Sequence, residues 1–461
     1  MSEPIDLDLT QGSMPTLFRK LAVPAAIGMV FSTLYNVVDI FFAGLISTDA
    51  QAGMAIGFLA FFLNMAIGFG LGAAMGALVG NAKGRKATGE ARNLAVQGIS
   101  FGVIATGGLM ILSWICGPWL IALVSEPGGY RDAAVSYFNW LIFALPGFLL
   151  AYGGNGILQA RGDTVSMQRA LVVSFFANCV LNPLLIYGLP GMWGGMGFNG
   201  IALSTVLCQT GVMVYVMTRI FGRAIMQNVQ LTEFLPNLSC YRIIVVQMLP
   251  TSFAMLVMFG SGFIVQYYLR AFGGHAVAGY GVALRIEQLL LLPVLGMTGA
   301  LLPIAAQNFG AGAHERVRSA MYFCCKLGLI LTLCACPLLW FGSPYAMSLF
   351  TSDPEVIAVG VSYLRVDGFI LPFYMMLFST NSVLQALQKP IWTLWISVYR
   401  QGLAIFAFVW LFVGLWGFDI WGVWFGIAAS VISGWIIAMI VLQVIAREKI
   451  GGMWVTSPAM G

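Results

Sequence analysis

Charge is scarce in this sequence of 461 residues. Only 8% of the residues are charged, with 22 Lys and Arg against 17 Asp and Glu, whereas soluble proteins carry roughly 25%. A protein surface with so few charges is poorly hydrated, and 60% of the chain is hydrophobic, so most of the surface must contact lipid. The composition therefore excludes a soluble enzyme, and a net charge of +5 over this length excludes a strongly basic nucleic-acid surface. It predicts a polytopic membrane protein.

Metal ligands and paired cysteines are also lacking. The two histidines, His275 and His314, are isolated, and no C-x-x-C spacing occurs among the eight cysteines, so neither a zinc site nor a redox pair can be assembled. The phosphate-binding pattern G-x-x-x-x-G-K-[ST] is absent as well, which excludes the nucleotide-hydrolysing pumps that depend on it. We expect no metal and no cofactor.

Long apolar runs are what the sequence does contain. A helix needs about 20 apolar residues to cross a bilayer, and polar or Gly/Pro punctuation separates twelve such runs. Transmembrane β-strands would instead alternate apolar and polar residues, so the runs predict an all-α protein. The predicted spans are residues 21–44, 53–80, 94–116, 134–158, 169–189, 199–219, 243–271, 276–306, 320–342, 361–385, 395–417 and 421–446.

Basic residues are distributed unevenly among the connecting segments. If both termini are cytoplasmic, 18 of the 22 lie in or beside inner loops, all but Arg131, Arg270, Arg285 and Arg365. The positive-inside rule favours this orientation. It predicts a multi-pass membrane protein with five cytoplasmic segments at residues 80–93, 159–168, 220–242, 308–319 and 386–394.

The two halves of the sequence match each other at one constant offset, position n with position n+226, which we call the repeat offset. The matched pairs include Pro24 with Pro250, Trp114 with Trp340, Asn155 with Asn381, and Leu158-Gln159-Ala160 with Leu384-Gln385-Ala386. Chance matching of apolar residues does not keep Trp, Pro and Asn in one register, so we infer a duplication. Six spans per repeat give both halves the same topology, which predicts two parallel-repeat six-helix bundles. The predicted lobes are residues 1–219 and 243–461, joined by a flexible cytoplasmic linker at 220–242, an organisation typical of transporters.

One acidic residue lies deep in the first span. Asp39 is part of LYNVVDIFFAG, and Tyr35 and Asn36 precede it on the same helical face, where they can donate to its carboxylate. In the fifth span Asn178 and Asn182 also share a face. Such oxygen-rich faces suit a proton or Na⁺. The alternative is a polar contact that only holds helices together; function is favoured for Asp39, and both interpretations stay open for the asparagines.

Two more acids lie within or beside spans of the second half. Glu287, in the eighth span, is flanked by Arg285 and Gln288, and Arg285 points to another face of the helix. We predict that this group carries a coupling proton or binds a cationic substrate, with a neutral structural acid as the alternative. Asp367, near the outer start of the tenth span, is predicted to be interfacial.

Aromatic residues are abundant, with 33 Phe, 13 Trp and 15 Tyr, and most such residues pack in the core or contact lipid. Late in the seventh span Gln266 and Tyr267 combine polar and aromatic character. We predict that they line a substrate cavity.

Several segments together resemble the multidrug and toxic compound extrusion (MATE) transporters, over essentially the whole chain. The matching segments are LYNVVDIFFAG, GFGLGAAMGALVGNAKG at 68–84, LQARGDT at 158–164, NCVLNPLLIYG at 178–188, GIALST at 200–205 and GALLPIAAQNFGAG at 299–312. The resemblance implies two six-helix bundles around a V-shaped cavity. It also implies a monomeric exporter, not an enzyme, that lies in the plasma membrane, the inner membrane of a bacterium. Such an exporter exchanges cationic or amphipathic small molecules for H⁺ or Na⁺, contacts only lipid besides its substrates, and binds no nucleic acid.

The resemblance further implies a cation site in the first lobe, made of Asp39, Asn178, Asn182 and Thr205. Prokaryotic relatives commonly have an aspartate where this chain has Asn182, so the site has one negative charge fewer. That loss weakens binding of a hard cation such as Na⁺ more than it impairs a protonatable Asp39. We therefore expect coupling to H⁺, with Na⁺ as the alternative.

Two other functions are weighed against export. A lipid-linked oligosaccharide flippase of the same superfamily would need a cationic cavity for its diphosphate, and Arg285 is the one clear candidate within a span. An intramembrane transferase would need clustered acids or a catalytic dyad, whereas Asp39, Glu287 and Asp367 are scattered over three spans.

Overall fold

The computed structural model describes residues 7–189, 191, 193–222 and 224–454. Both chain ends, whose cytoplasmic location is predicted, and Arg223 of the predicted linker lie outside the described residues. Within the described part the elements are α1 (Met14–Ile46), α2 (Thr48–Gly84), α3 (Thr88–Val124), α4 (Gly129–Leu141), α5 (Leu145–Ala160), α6 (Val165–Tyr187), β1 (Gly188–Leu189), β2 (Trp193–Gly194), α7 (Asn199–Phe221), α8 (Leu238–Leu269), α9 (Gly274–Gly310), α10 (His314–Ser348), α11 (Pro354–Ala386), α12 (Ile391–Ser397), α13 (Ile405–Val409) and α14 (Ile420–Ile450). The two strands form one antiparallel hairpin, Gly188 opposite Gly194.

Twelve helical segments of the described chain are long and apolar enough to cross a membrane. A short 3-10 turn joins α4 to α5, and π-helical turns at Val398–Ala404 and Trp410–Leu415 continue α12 and α13, so each group counts as one segment. The predicted all-α, twelve-span fold is confirmed. The helices extend several residues beyond the predicted spans, because polar residues such as Lys83 and Arg92 are also helical, in segments that were predicted to be loops.

The duplication is visible in the helix boundaries. Shifting the limits of α2 by the repeat offset gives those of α9, α5 and α11 end at positions 160 and 386, and α6 and α12 begin at 165 and 391. Packing repeats in the same way, since α2 packs against α4 and α5, and α9 packs against α11. The two halves therefore fold by the same plan.

Contacts divide the chain into two compact units. Among the described residues, the first unit contains 7–9 and 27–252, and the second contains 10–26 and 253–454. The boundary thus falls inside α1, after Ala26, and inside α8, after Ser252, two positions that are related by the repeat offset. The sequence places the division in the linker instead. The observed boundary lies later in the chain because the start of α8 packs on the first unit. Gly70 on α2 has no side chain, so α2 can approach Met248 and Ser252 closely.

The inter-lobe linker is bound to the first unit. We call residues 224–237 the linker segment; it contains two 3-10 turns, and Arg92 on α3 donates to both carboxylate oxygens of Glu233 at 2.7 and 3.1 Å. Gln97 donates to the backbone carbonyls of Glu233 and Leu235, at 2.7 and 2.9 Å, and Ser100 to that of Phe234 at 2.6 Å. These bonds make the predicted flexible linker a docked segment.

One buried cluster of the first unit is built from apolar side chains. Phe61 on α2, Leu141 on α4 and Phe148 on α5 are buried in one cluster, and the rings of Phe61 and Phe148 meet edge-on at 5.3 Å. This packing fixes α2, α4 and α5, and α7 packs against α4 and α5.

Candidate functional site

Asp39 is the centre of a buried polar group in the first unit. Its Oδ1 atom accepts hydrogen bonds from Nδ2 of Asn178 at 2.9 Å and Nδ2 of Asn182 at 2.8 Å. Its Oδ2 atom accepts from the hydroxyl of Thr205 at 3.3 Å. The structure thus brings together four residues from α1, α6 and α7, all of them buried.

A second set of bonds fixes these donors. Tyr35, one turn before Asp39, donates to Oγ1 of Thr205 at 3.2 Å rather than to the carboxylate directly. Asn178 also donates to Oγ of Ser204 at 3.3 Å, a residue that sequence reasoning did not single out. Ser204 carries little signal of its own, because a serine beside Thr205 in an apolar helix is ordinary.

Asn36 does not take part in this site. Its amide donates to the backbone carbonyl of Ser32, one turn back in α1, at 3.1 Å, and its side chain is exposed. The predicted hydrogen bond from Asn36 to Asp39 is therefore wrong. Three residues rotate a helix by about 300°, which turns Asn36 away from the α6 side of α1, whereas four residues bring Tyr35 nearly back into line.

Glycines allow α6 and α7, which carry the amide and hydroxyl donors, to lie close together. A Cβ at Gly200 would lie 2.6 Å from the backbone carbon of Leu185, and one at Gly195 would lie 2.0 Å from the carbonyl oxygen of Ile186. Both distances are impossible for a real side chain, so only glycine permits this approach. The β1–β2 hairpin closes the short connection, and the two helices present Asn182 and Thr205 to the same carboxylate.

The electrostatics of this site are set by neutral donors alone. Within the described residues no Lys, Arg or His contacts the Asp39 carboxylate, and its bonds come from two amides and one hydroxyl. Asn182 Oδ1 is buried and has no hydrogen-bond partner among the described residues. The oxygens of Asp39, Asn178 and Asn182 are those that a proton or a small cation would use.

In the second unit, Glu287 is buried on α9 and accepts a 2.6 Å hydrogen bond from the Tyr363 hydroxyl on α11. Arg285 and Gln288, predicted to act with it, are both exposed, and within the described chain neither forms a hydrogen bond or an ion pair with Glu287. Asp367 is fully buried and within electrostatic reach of Glu287. Its predicted interfacial position is wrong, because α11 begins at Pro354 and places Asp367 well inside the helix.

The predicted cavity-lining residues lie near the end of α8. Gln266 and Tyr267 are both exposed, and the guanidinium of Arg270 covers the Tyr267 ring at 4.0 Å. Whether they meet a substrate stays a prediction.

Comparison with known proteins decides the family. The model of the MatE family matches residues 24–184 and again residues 250–411, two segments that begin at the paired prolines Pro24 and Pro250. The chain belongs to the MatE family. It is therefore a multi-pass membrane transporter and not an enzyme.

Individual relatives of this MatE protein have low sequence identity to it but align over most of its length. The chain is 25% identical over 430 residues to a probable multidrug resistance protein NorM of Thermotoga maritima, covering 90% of this chain and 89% of that one. It is 25% identical over 344 residues to a FAD transporter of Shewanella oneidensis, covering 73% and 74%. A solved MOP superfamily transporter from Pyrococcus furiosus has the same fold, with a TM-score of 0.89, 23% identity, and coverage of 97% and 99%.

Proposed function

We propose that this MatE protein is a secondary antiporter that exports cationic or amphipathic small molecules in exchange for protons. Asp39 is the proton carrier of the first unit. The observation that carries this proposal is a single buried carboxylate held by three neutral donors, with no basic partner in the described chain. An ionised carboxylate in an apolar helix is energetically costly, so Asp39 readily binds a proton, which neutralises its charge.

The single carboxylate of the site supports H⁺ over Na⁺. Asn178 and Asn182 contact Asp39 as neutral amides, whereas a hard cation prefers several oxygen ligands, with carboxylates among them. A protonated carboxyl group needs one acceptor for its O–H. The unpaired Oδ1 of Asn182 can accept it if the amide turns, so proton loading needs only a local exchange of hydrogen bonds.

The substrate class is proposed from relatives. Several are named multidrug resistance or multidrug export proteins, which favours cationic or amphipathic drugs. A second candidate is export of FAD, favoured by the relative of that name. An oligosaccharide flippase is less well supported, because binding a diphosphate takes several basic groups, and Arg285, the one candidate that the sequence offered for them, is exposed. We further propose a monomer in the bacterial inner membrane with both termini in the cytoplasm.

The test is transport by the purified protein in proteoliposomes. A lipophilic cation such as ethidium and FAD are offered separately, with a pH gradient alone, a Na⁺ gradient alone, or neither. We expect export of the cation driven by the pH gradient. Transport driven only by Na⁺ would contradict the proposed coupling, and transport of FAD but not ethidium would replace the proposed substrate class.

A further inference from the structure

A crevice of about 290 Å³ opens on the second unit, where the start of α1 meets α9 and α10. All of its lining residues belong to that unit. Phe18 on its inner side is buried, and the centre of the Phe18 ring lies 5.1 Å from that of Phe323 on α10. Val23 and Leu331, which also line it, are 51% and 39% exposed. Exposed apolar side chains within spans contact the hydrocarbon of the bilayer, so the crevice opens toward lipid.

A second crevice of about 240 Å³ continues the first along α10. Pro293 and Leu331 line both of them, and the second reaches Leu338. From Phe323 to Leu338 the helix rises by about 22 Å. One leaflet of a hydrocarbon core about 30 Å thick has a depth of about 15 Å, so the two crevices together can hold the acyl chain of a lipid. We call the two together the α10 groove.

Small residues on α1 and α9 shape the α10 groove. A Cβ at Gly296 would lie 3.0 Å from the carbonyl oxygen of Ala22 and 3.0 Å from the backbone nitrogen of Ala26, so the glycine lets the two helices pack closely. Ala22 and Ala26 also line the groove. Their methyl groups leave the space that a longer side chain would occupy.

Arg19 gives the α10 groove its positive charge. It is the one Lys, Arg, Asp or Glu among the residues that line the groove. Its side chain is exposed, and within the described residues its guanidinium forms no ion pair or hydrogen bond. Because α1 begins at Met14, Arg19 lies in the second turn, near the predicted cytoplasmic end of the span. The membrane surface on that side carries anionic lipids.

The first unit fills the same place with its own side chains. Shifted by the repeat offset, the position of Pro15 at the groove becomes that of Tyr241, and that of Leu327 becomes Phe101. The Tyr241 and Phe101 rings meet edge-on at 5.3 Å, and the Tyr241 hydroxyl is hydrogen-bonded to that of Ser100 at 2.8 Å. The fold can therefore close this space with a ring, whereas the second half has a proline there. Apolar surface that nothing packs against loses contact energy, so a ligand that covers the α10 groove would stabilise the second unit.

We propose that the α10 groove binds one anionic phospholipid of the cytoplasmic leaflet, with its phosphate on Arg19 and an acyl chain along Pro293 and Leu331. Basic pockets between transmembrane helices on the cytoplasmic side bind acidic lipid headgroups, and a guanidinium matches the geometry of phosphate oxygens. The same charge repels a cationic substrate. The inference goes beyond the proposed exchange of substrate for protons and does not depend on it.

Native mass spectrometry of the delipidated protein in detergent tests this inference. The protein is titrated with phosphatidylglycerol, which is anionic, or with phosphatidylcholine of the same chain length, which is zwitterionic. We expect one saturable phosphatidylglycerol site and weaker binding of phosphatidylcholine. A basic residue near the membrane surface contributes about fivefold in affinity, so Arg19→Gln should weaken phosphatidylglycerol binding about fivefold and remove the preference over phosphatidylcholine.

Two variants fill the α10 groove without changing its charge. Pro15→Tyr gives the second half the ring that occupies this place in the first, and Leu331→Trp adds an indole at an exposed position that both crevices share. Each should weaken the binding of both lipids. Leu331→Trp keeps the inference testable if Pro15→Tyr fails to fold.

Arg447→Gln is the matched control. It removes one exposed positive charge from the last turn of α14, also at the predicted cytoplasmic end of a span, and should leave the affinity for phosphatidylglycerol unchanged. Inorganic phosphate, which lacks an acyl chain, and ethidium should not displace the lipid.

The inference is overturned if the parent shows no saturable preference for phosphatidylglycerol or if folded Arg19→Gln binds it as tightly as the parent. It is also overturned if Arg447→Gln weakens binding to the same extent, or if both groove-filling variants bind the lipids unchanged. Displacement of the lipid by phosphate would indicate a phosphate site instead, and displacement by ethidium a substrate site, and either result would contradict the proposal.

Discussion

Replacing Asn182 by Asp tests whether ligand charge sets ion choice in the first unit. Nδ2 of Asn182 lies 2.8 Å from Oδ1 of Asp39, so the new carboxylate would lie beside the old one. Two unit charges about 4 Å apart repel by about 4 kcal/mol at an effective dielectric constant of about 20. A cation between them recovers a similar energy, and about 4 kcal/mol corresponds to roughly a thousandfold in affinity. Desolvation reduces this gain, so we expect Na⁺ affinity to rise at least about tenfold.

The assay is export from proteoliposomes without a pH gradient, titrated with an imposed Na⁺ gradient. Asn182→Asp should respond to Na⁺ at concentrations at which the wild type does not. Asn36→Asp is the matched control, because it makes the same chemical change on α1 three residues from Asp39, where the amide is exposed and bonded to Ser32. An unchanged Na⁺ response in Asn182→Asp, or an equal response in Asn36→Asp, would refute the reasoning.

Three further predictions concern the linker segment and a turn. Hydrogen bonds from Arg92 lower the pKa of Glu233 below its usual 4.5, so they stabilise the docked linker segment above pH 4.5, and this stabilisation is lost as the pH falls through the lowered value. Hydrogen-exchange protection of the linker segment should therefore decrease in that acidic range. In Arg92→Gln the protection should be reduced at every pH. Gly162→Ala should lower stability by about 1–2 kcal/mol, because Gly162 has φ +80° and a Cβ would lie 2.6 Å from that of Leu7; thermal melting checks this against Gly89→Ala, whose Cβ meets nothing within 4 Å. A single cysteine in the linker segment should be labelled only from the cytoplasmic side, and labelling only from outside would overturn the orientation.

Much of the fold was predictable because its signals are local. Uncharged runs define the helices, and residues with special backbone roles, such as Pro24 and Pro250, hold the register of the repeat. The functional role of Asp39 was also predictable, since an acidic residue inside an apolar span usually belongs to a functional site. Asn178 and Asn182 could be grouped with each other by helical spacing, and their proximity to Asp39 came from family resemblance.

Other features depend on tertiary packing and left no such signal. In a helix that is apolar on every side, spacing does not show which face is buried, so Asn36 could not be separated from Tyr35 by sequence. Asp367 on α11 comes within electrostatic reach of Glu287 on α9 because these two helices pack together. The sequence counts Arg400 among the basic residues in or beside inner loops, whereas the structure places it in the π-helical turn Val398–Ala404, and such a turn has no reliable mark in the sequence.

Export by the Asp39→Asn variant tests the central claim most directly. The side chains are nearly isosteric, and an amide in place of the carboxylate keeps one acceptor for the donors on α6 and α7, so the variant should fold, which gel filtration and thermal melting can check. With an imposed pH gradient across proteoliposomes, the wild type should export its substrate and Asp39→Asn should not. Full export by Asp39→Asn under the same gradient would contradict the assignment of Asp39 as the proton carrier.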